Sequence, residues 1–343
     1  MEKTDIAIIG GGIAGLSLAK FLAERGIPFI LFEEHNDFFM KPCGEGITQK
    51  IAGYDFFDFY DSKKGIEKEI LETIIHTKYG GISLEMPILM TDKKEIEKEL
   101  AKKAMKQGEI RMGEKVKEIR DGILYPQQIK PKIIVGADGV FSIARKYTGA
   151  REPHIGIAVD GYARNLEYDE DKCHVILNKD VINYGYAWFF PKRERWNIGI
   201  GSYKTKYFKK AFQDFKKKYK AEKWKGAYIP LDKPVKSYGK NVILVGDSAS
   251  HIYSALGAGN MSSMIIANIA SNHIEKFAKN DFRNIDLSLY EREWRKVIGK
   301  QLNYSHYSKK IFFSVIKSEY LRYKLLQKMC RDTTQHYRKL LRK

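Results

Sequence analysis

Cys43 sits between a proline and two glycines in the stretch Lys41-Pro42-Cys43-Gly44-Glu45-Gly46. A thiol in a tight glycine-rich loop suits a redox or proton-transfer role, a metal ligand, or a small residue that simply fits. Cys173 and Cys330 are far away in sequence, and no CxxC or Cys/His pair has metal-ligand spacing. A metal at Cys43 is therefore not expected. Three widely spaced cysteines also suit a reducing compartment without a disulfide framework.

A second chemistry-bearing pattern lies upstream. Gly10, Gly12 and Gly15 form a GxGxxG after the strand-like run Asp5-Ile6-Ala7-Ile8-Ile9. The first glycine allows the tight turn, the second lets a pyrophosphate approach the backbone, and the third lets helix and strand pack closely. The helix start then faces the phosphates with its N–H groups. Glu33 closes the next strand-like run, where an acid is placed to accept hydrogen bonds from a ribose.

Two further glycine turns could belong to the same site. One is Gly136-Ala137-Asp138-Gly139, and the other is Gly246-Asp247-Ser248-Ala249 followed by Gly257-Ala258-Gly259-Asn260. In Tyr186-Ala187-Trp188-Phe189-Phe190-Pro191 the alternate residues Tyr186, Trp188 and Phe190 share one face of a strand, because its side-chain period is two. That face makes either plain core or the wall of an apolar pocket.

The elements that must position these residues follow from periodicity. Residues 5–33 read as a parallel strand–helix–strand unit, with the helix ended by Gly26. Residues 66–86 read as two strands, and 92–107 as a surface helix with Asp92 as N-cap. Short strands at 115–125 precede a buried strand ending at Gly136. From about 151 the pattern changes to antiparallel strands, with a basic helix at 204–220. The buried-strand pattern returns at 242–246, a helix opens on Gly257 and Gly259, and the last 60 residues look helical.

The expected fold class is α/β: a Rossmann-type domain (1–150 and 236–300) interrupted by a mainly antiparallel β substrate domain (151–235), then a basic helical segment (301–343). No second strand–GxGxxG–helix unit is visible, so a separate nicotinamide domain is not expected.

Composition agrees with an ordered globular protein: 43% hydrophobic and 30% charged residues in a chain of 343. No apolar run approaches the roughly 18 residues of a membrane span. The start of the chain lacks a signal-peptide layout, so a cytoplasmic location is expected. The formal net charge is +19. Residues 301–343 hold eleven Lys/Arg against Glu319 and Asp332, a local excess of +9. Phe312, Ile316, Tyr320, Tyr323 and Leu326 recur there at helical spacing between the cations. A basic amphipathic helix suits an anionic membrane surface on the inner face. The bland alternative is a helix packed on its own domain. A nucleic-acid partner ranks low, since no nucleic-acid module is visible.

The three glycine motifs, in this order, resemble those of the FAD-dependent reductases and hydroxylases related to p-hydroxybenzoate hydroxylase. The hexapeptide with Cys43 and the YxWxFP strand are together similar to the geranylgeranyl reductase family, over residues 1 to about 270. The resemblance implies FAD as cofactor and reduction of isolated double bonds in isoprenoid chains, such as those of archaeal ether lipids or polyprenyl precursors. Hydride from reduced FAD goes to one carbon and a proton to the other.

The resemblance places Gly10, Gly12, Ala14, Gly15, Glu33, Cys43, Gly44, Gly46, Lys93, Val116, Asp138, Gly139, Gly246, Asp247, Gly257, Gly259 and Asn260 at the cofactor, with Asp247 on the ribityl chain. It places Tyr186, Trp188 and Phe190 at the substrate. Cys43 and Tyr186 are the candidate proton donors, and His251 is a weaker one, read equally as a surface residue. Gly44 and Gly46 are expected to let the backbone approach the cofactor.

The chain departs from the family at Ser254, where relatives carry proline, at Leu256, near which they carry threonine, and at Lys93, where they carry arginine. Lysine keeps the charge but loses the planar fork. The reductant is open between NAD(P)H, ferredoxin and another carrier. The competing readings are an FAD monooxygenase acting on an apolar or aromatic substrate, and a non-catalytic basic protein that binds membrane or nucleic acid.

Overall fold

The computed structural model describes residues 3–341. Strand Ile6–Ile9 is fully buried and pairs in parallel with two neighbours, Ile30–Glu33 on one side and Ile133–Gly136 on the other. Its four apolar residues are what a strand covered on both faces requires. The six-stranded sheet continues outward to Glu109–Met112 at one edge and to Val242–Leu244 and Tyr238–Gly239 at the other. The chain leaves Ile9 between two strands that it reaches in opposite directions. This is the switch point where open α/β sheets bind ligands.

Helix α1 (Ile13–Glu24) follows at once. It packs beside α2 (Lys93–Ala104) and α5 (Asn260–Lys279). Asp92 caps α2 by accepting the Glu95 N–H at 3.2 Å. Helix α3 (Ile143–Thr148) lies behind Ile133–Gly136.

The second sheet has eight strands, in the order Glu222–Pro230, Ile155–Ala163, Trp196–Ser202, Gly185–Pro191, Lys172–Ile176, Ile66–Thr77, Gly80–Thr91 and Gly46–Thr48. It is antiparallel except where Lys172–Ile176 runs parallel to Ile66–Thr77. Three of these strands come from residues 46–91, so the sheet crosses the boundary expected at residue 150. The cause is that pairing partner: Ile66–Thr77 finds its outer neighbour at Lys172–Ile176, about a hundred residues on. Helix α4 (Phe208–Lys218) covers the sheet's outer face through Phe208 and Phe215.

The C-terminal part is helical: α6 (Ser288–Trp294), α7 (Lys300–Lys310) and α8 (Glu319–Leu341), joined by single π-turns at 295–299 and 311–315. The apolar stripe expected on one helix is divided. Ile316 turns extended (φ −74°, ψ 109°), and Ser318 restarts the helix by accepting the Leu321 N–H. Helix α8 then packs on its own domain: Cys330, Tyr323 and Leu326 meet Ile75 and Ile82. The Glu85 N–H donates to Thr334 at 3.0 Å, and the Tyr337 hydroxyl donates to the Lys50 carbonyl. No described helix is long and apolar enough to cross a membrane.

Candidate functional site

One elongated cavity of about 810 Å³ runs from the Gly10 turn, beneath the eight-stranded sheet, to the corner between α7 and α8. Its first end is built from glycines. A Cβ on Gly10 would stand 2.4 Å from the Ala137 carbonyl oxygen, and one on Gly15 would stand 2.0 Å from that of Gly10. Both are glycine because backbones meet there. Gly12 differs: a Cβ added to it meets no described atom within 4 Å. Gly12 therefore looks into open space beside the uncapped first turn of α1, where N–H groups lack helical partners. That is the cradle a pyrophosphate needs.

Glu33 stands over this turn. Its carboxylate accepts the Gly11 N–H at 2.6 Å and the His35 N–H at 2.9 Å. Ala14 and Val116 line the same end. Asp138 also lines it, but its two oxygens take Ser142 Oγ at 2.6 Å and the Ala144 N–H at 3.0 Å. Burial raises its pKa against those bonds. Asp138 thus organises the start of α3, and Gly139 beside it adopts φ +74°.

Gly246, at φ +69°, approaches Ala14 so closely that a Cβ would lie 2.7 Å from the alanine methyl. Asp247 follows and pairs with Lys41. Gly257, Gly259 and Asn260 form the loop into α5, braced by the Tyr253 N–H to Ala258 carbonyl bond at 2.9 Å.

Lys93 is buried at the middle of the cavity, 3.6 Å from Glu97 and over the Phe39 ring. Burial works against its charge, but Cys43, Glu97, Asp247 and Glu45 together outweigh burial and raise its pKa. Cys43 joins the two ends of the cavity. Its sulfur accepts the Glu45 N–H at 3.4 Å and the Asn260 side-chain amide at 3.8 Å.

Gly44 and Gly46 lie against the aromatic strand. A Cβ on Gly44 would meet Phe190 at 3.3 Å and Trp188 Nε1 at 3.4 Å, and one on Gly46 would meet Ile88 at 3.3 Å. These contacts are tight, and a side chain there would need the aromatic strand and its neighbour to give by a few tenths of an ångström. Both glycines line the cavity, with the substrate-side wall as their nearest protein neighbour.

Tyr186, Trp188 and Phe190 do face the cavity together. Trp188 Nε1 donates to Asn197 at 2.9 Å. Tyr186 donates its hydroxyl proton to the Leu256 carbonyl, so it braces the glycine loop. Burial, with Cys43 adding to it, pushes the Tyr186 pKa up to about 12. Beyond these rings the wall is aliphatic (Ile75, Leu84, Met86, Val175 and Leu177), and it ends on Phe312, Phe313 and Leu326.

His251 is corrected. It is fully buried, edge-on to Trp294 at 4.6 Å, with neither ring nitrogen partnered among the described residues. Burial drives its pKa down to about 3. It does not line the cavity.

Sequence reasoning missed a polar knot behind Cys43. Glu45, at φ +59° and fully buried, pairs with Lys192 at 2.7 Å, takes the Tyr162 hydroxyl at 2.7 Å and is 3.3 Å from Asn197. Asn197 also donates to the Cys43 carbonyl at 3.0 Å. The available signal was Lys192, a cation directly after an apolar strand. Asp160, on the same sheet face, was missed as well.

Comparison with known proteins agrees with this geometry. Residues 3–171 match a family model described as FAD binding domain, and residues 154–231 match one described as geranylgeranyl reductase catalytic domain. The digeranylgeranylglycerophospholipid reductase of Methanosarcina acetivorans is 25% identical over 358 residues, covering 91% of this chain and 85% of that protein. A geranylgeranyl bacteriochlorophyll reductase-like structure from Thermoplasma acidophilum shares the fold at TM-score 0.82, with 19% identity, covering 97% of this chain and 92% of that one. The p-nitrophenol 4-monooxygenase of Pseudomonas putida also shares it, at TM-score 0.75 and 14% identity, over 99% of both chains.

Proposed function

Because the chain belongs to the FAD-dependent geranylgeranyl reductase family, we propose that it reduces isolated double bonds in isoprenoid chains of lipids or their polyprenyl precursors. The observation that carries this is the apolar arm of the cavity. It begins at Cys43 and the loop of Gly257–Asn260, passes under Trp188, and continues between aliphatic and aromatic side chains to α7 and α8. A long hydrocarbon fits such a lining, and a small polar substrate would leave it unfilled.

Gly12 and the first turn of α1 would hold the FAD pyrophosphate, Glu33 the ribose and Asp247 the ribityl chain. Gly257, Gly259 and Asn260 would lie at the ring, with Cys43, Lys93, Ala14 and Val116 around them. The chemistry supplied by the bound, reduced cofactor is hydride delivery to one alkene carbon. Trp188 and Phe190 exclude water and align the chain. Tyr186 fixes the glycine loop through Leu256. The Glu45–Lys192 pair anchors the Cys43 turn to the sheet.

The lipid would enter from an anionic membrane surface at the α7–α8 corner. Phe312 and Phe313 line the cavity there, while Tyr304, Ile311, Val315 and Leu321 are exposed beside Lys310, Lys317 and Lys324. That surface offers both apolar anchors and charge complementarity.

The purified flavoprotein, reduced with dithionite under strict anaerobiosis and given a geranylgeranyl lipid, is expected to yield products heavier by pairs of hydrogens. An absolute need for O2 would instead support a monooxygenase, and a colourless protein that takes up no FAD would remove both enzyme readings. Cys43→Ala separates a reacting sulfur from one that only shapes the cavity, because unchanged turnover leaves the sulfur no chemical role.

A further inference from the structure

Among the described residues, Asp160 is the only acid that the face of the eight-stranded sheet turns into the cavity. It lies in one row with Gly199 and Trp188 on neighbouring strands. Gly199 carries no side chain, and the six-membered ring of Trp188 covers it; a Cβ there would stand 2.1 Å from Trp188 Cζ2. The indole therefore reaches toward the strand that carries the carboxyl. From the other side Asp160 faces the Cys43 turn, whose backbone approaches it together with Asn197. Asp160 is 8% exposed and borders the apolar arm where that arm meets Cys43.

The two donors suggested by sequence are placed otherwise. The Cys43 sulfur receives N–H groups from Glu45 and Asn260, and Tyr186 gives its proton to Leu256. From this geometry we infer that Asp160 is the proton donor of the alkene reduction, acting as a neutral carboxylic acid beside Trp188. This rests on the reductase reading above. In the balanced step the Asp160 O–H bond breaks and its proton forms a C–H bond at one alkene carbon. The other carbon receives hydride, with its electron pair, from the reduced flavin. The π bond is consumed, and the carboxylate left behind takes a proton from water.

The surroundings keep that proton on the acid near neutrality. Burial is the main cause, the Glu45 carboxylate adds to it, and Asn197, Lys225 and the Cys43 backbone oppose it, for a pKa of about 7. Tyr162 on the same strand, with its pKa raised by burial, stays neutral, and Lys225 opposite Asp160 is exposed to solvent. A buried acid tuned in this way matches the requirement for general acid catalysis at physiological pH.

The test compares wild type, Asp160→Asn and Asp160→Glu as FAD-loaded proteins with a geranylgeranyl lipid and dithionite. Wild-type kcat is expected to fall as pH rises through about 7. Asp160→Asn should lower kcat by about 10²–10⁴-fold and abolish that limb, with KM and the flavin spectrum unchanged. Asp160→Glu should restore part of the rate and a shifted limb. An infrared difference between wild type and Asp160→Asn should show a protonated carboxyl band at pH 6 that is lost at pH 9. An active wild type whose Asp160→Asn form keeps its rate and pH profile overturns the assignment alone, as does an active enzyme without the band. If Asp160→Asn does not take up FAD, Asp160→Glu decides: no rate and no shifted limb in a flavin-loaded Glu form overturns it. A wild type that reduces no prenyl double bond overturns the parent reading and this one with it.

Discussion

Trp188 and Gly199 share one space: the indole occupies the volume that any side chain at 199 would need. Gly199→Ala is expected to push the indole off Asn197, cost about 1–3 kcal/mol by overpacking, and slow lipid turnover more than FAD binding. Denaturant unfolding and a flavin titration on the same preparation check this. Unchanged stability would mean that the ring has somewhere else to go.

Gly12 and Gly15 look alike in sequence and should behave oppositely. Gly12→Val enters open space, so the protein should fold with a loss of at most ~1 kcal/mol yet stay colourless when mixed with FAD. Gly15→Val meets the Gly10 carbonyl and should prevent folding. Circular dichroism and the visible spectrum together distinguish the two.

The Glu45–Lys192 pair is buried on both sides. Lys192→Met leaves a carboxylate in the core and should cost about 3–5 kcal/mol. Lys192→Met combined with Glu45→Gln should recover much of that loss. An additive double variant would show that the pair does not act as a unit.

Asp160 should make stability depend on pH. Its pKa is raised in the fold, from 3.8 to about 7. Its contribution is therefore full below the unfolded value, falls progressively above about pH 4, and is gone once pH has risen through about 7. The loss is at most roughly 4 kcal/mol, from about three pK units at 1.36 kcal/mol each. The melting temperature of wild type should fall relative to Asp160→Asn between about pH 4 and pH 8. Parallel curves would contradict the burial of this charge.

The corner of α7 and α8 should bind anionic vesicles in a salt-sensitive way. Lys310→Glu, Lys317→Glu and Lys324→Glu together should weaken sedimentation with phosphatidylserine vesicles by about 1 kcal/mol per cation removed. Val315→Asp should weaken it through the apolar part. Equal binding to neutral vesicles would reject the charge-driven surface.

The nucleotide end was legible because its signals are local. Glycine spacing, the run Ile6–Ile9 and Glu33 all lie within one strand–helix–strand unit. The aromatic face was legible because alternation in a strand fixes it. What stayed hidden depends on pairing across the chain. Asp160 shares a row with Trp188 only through two strand registers, and Lys192 meets Glu45 across 147 positions. His251 looked like a surface residue because nothing in its neighbours announces Trp294, 43 positions on, as its cover. The stripe from Phe312 to Leu326 kept helical spacing through Ile316, and spacing alone does not reveal a break.

Helix α8 forms the last wall of the apolar arm, against strands completed more than two hundred residues earlier. On the ribosome, the trough lined by Ile75, Ile82 and Leu84 is synthesised long before residues 319–341 arrive to cover it. The nascent protein thus spends much of its synthesis with that apolar surface uncovered by α8. Until the helix docks, that exposed apolar surface is where the chain is most prone to aggregate.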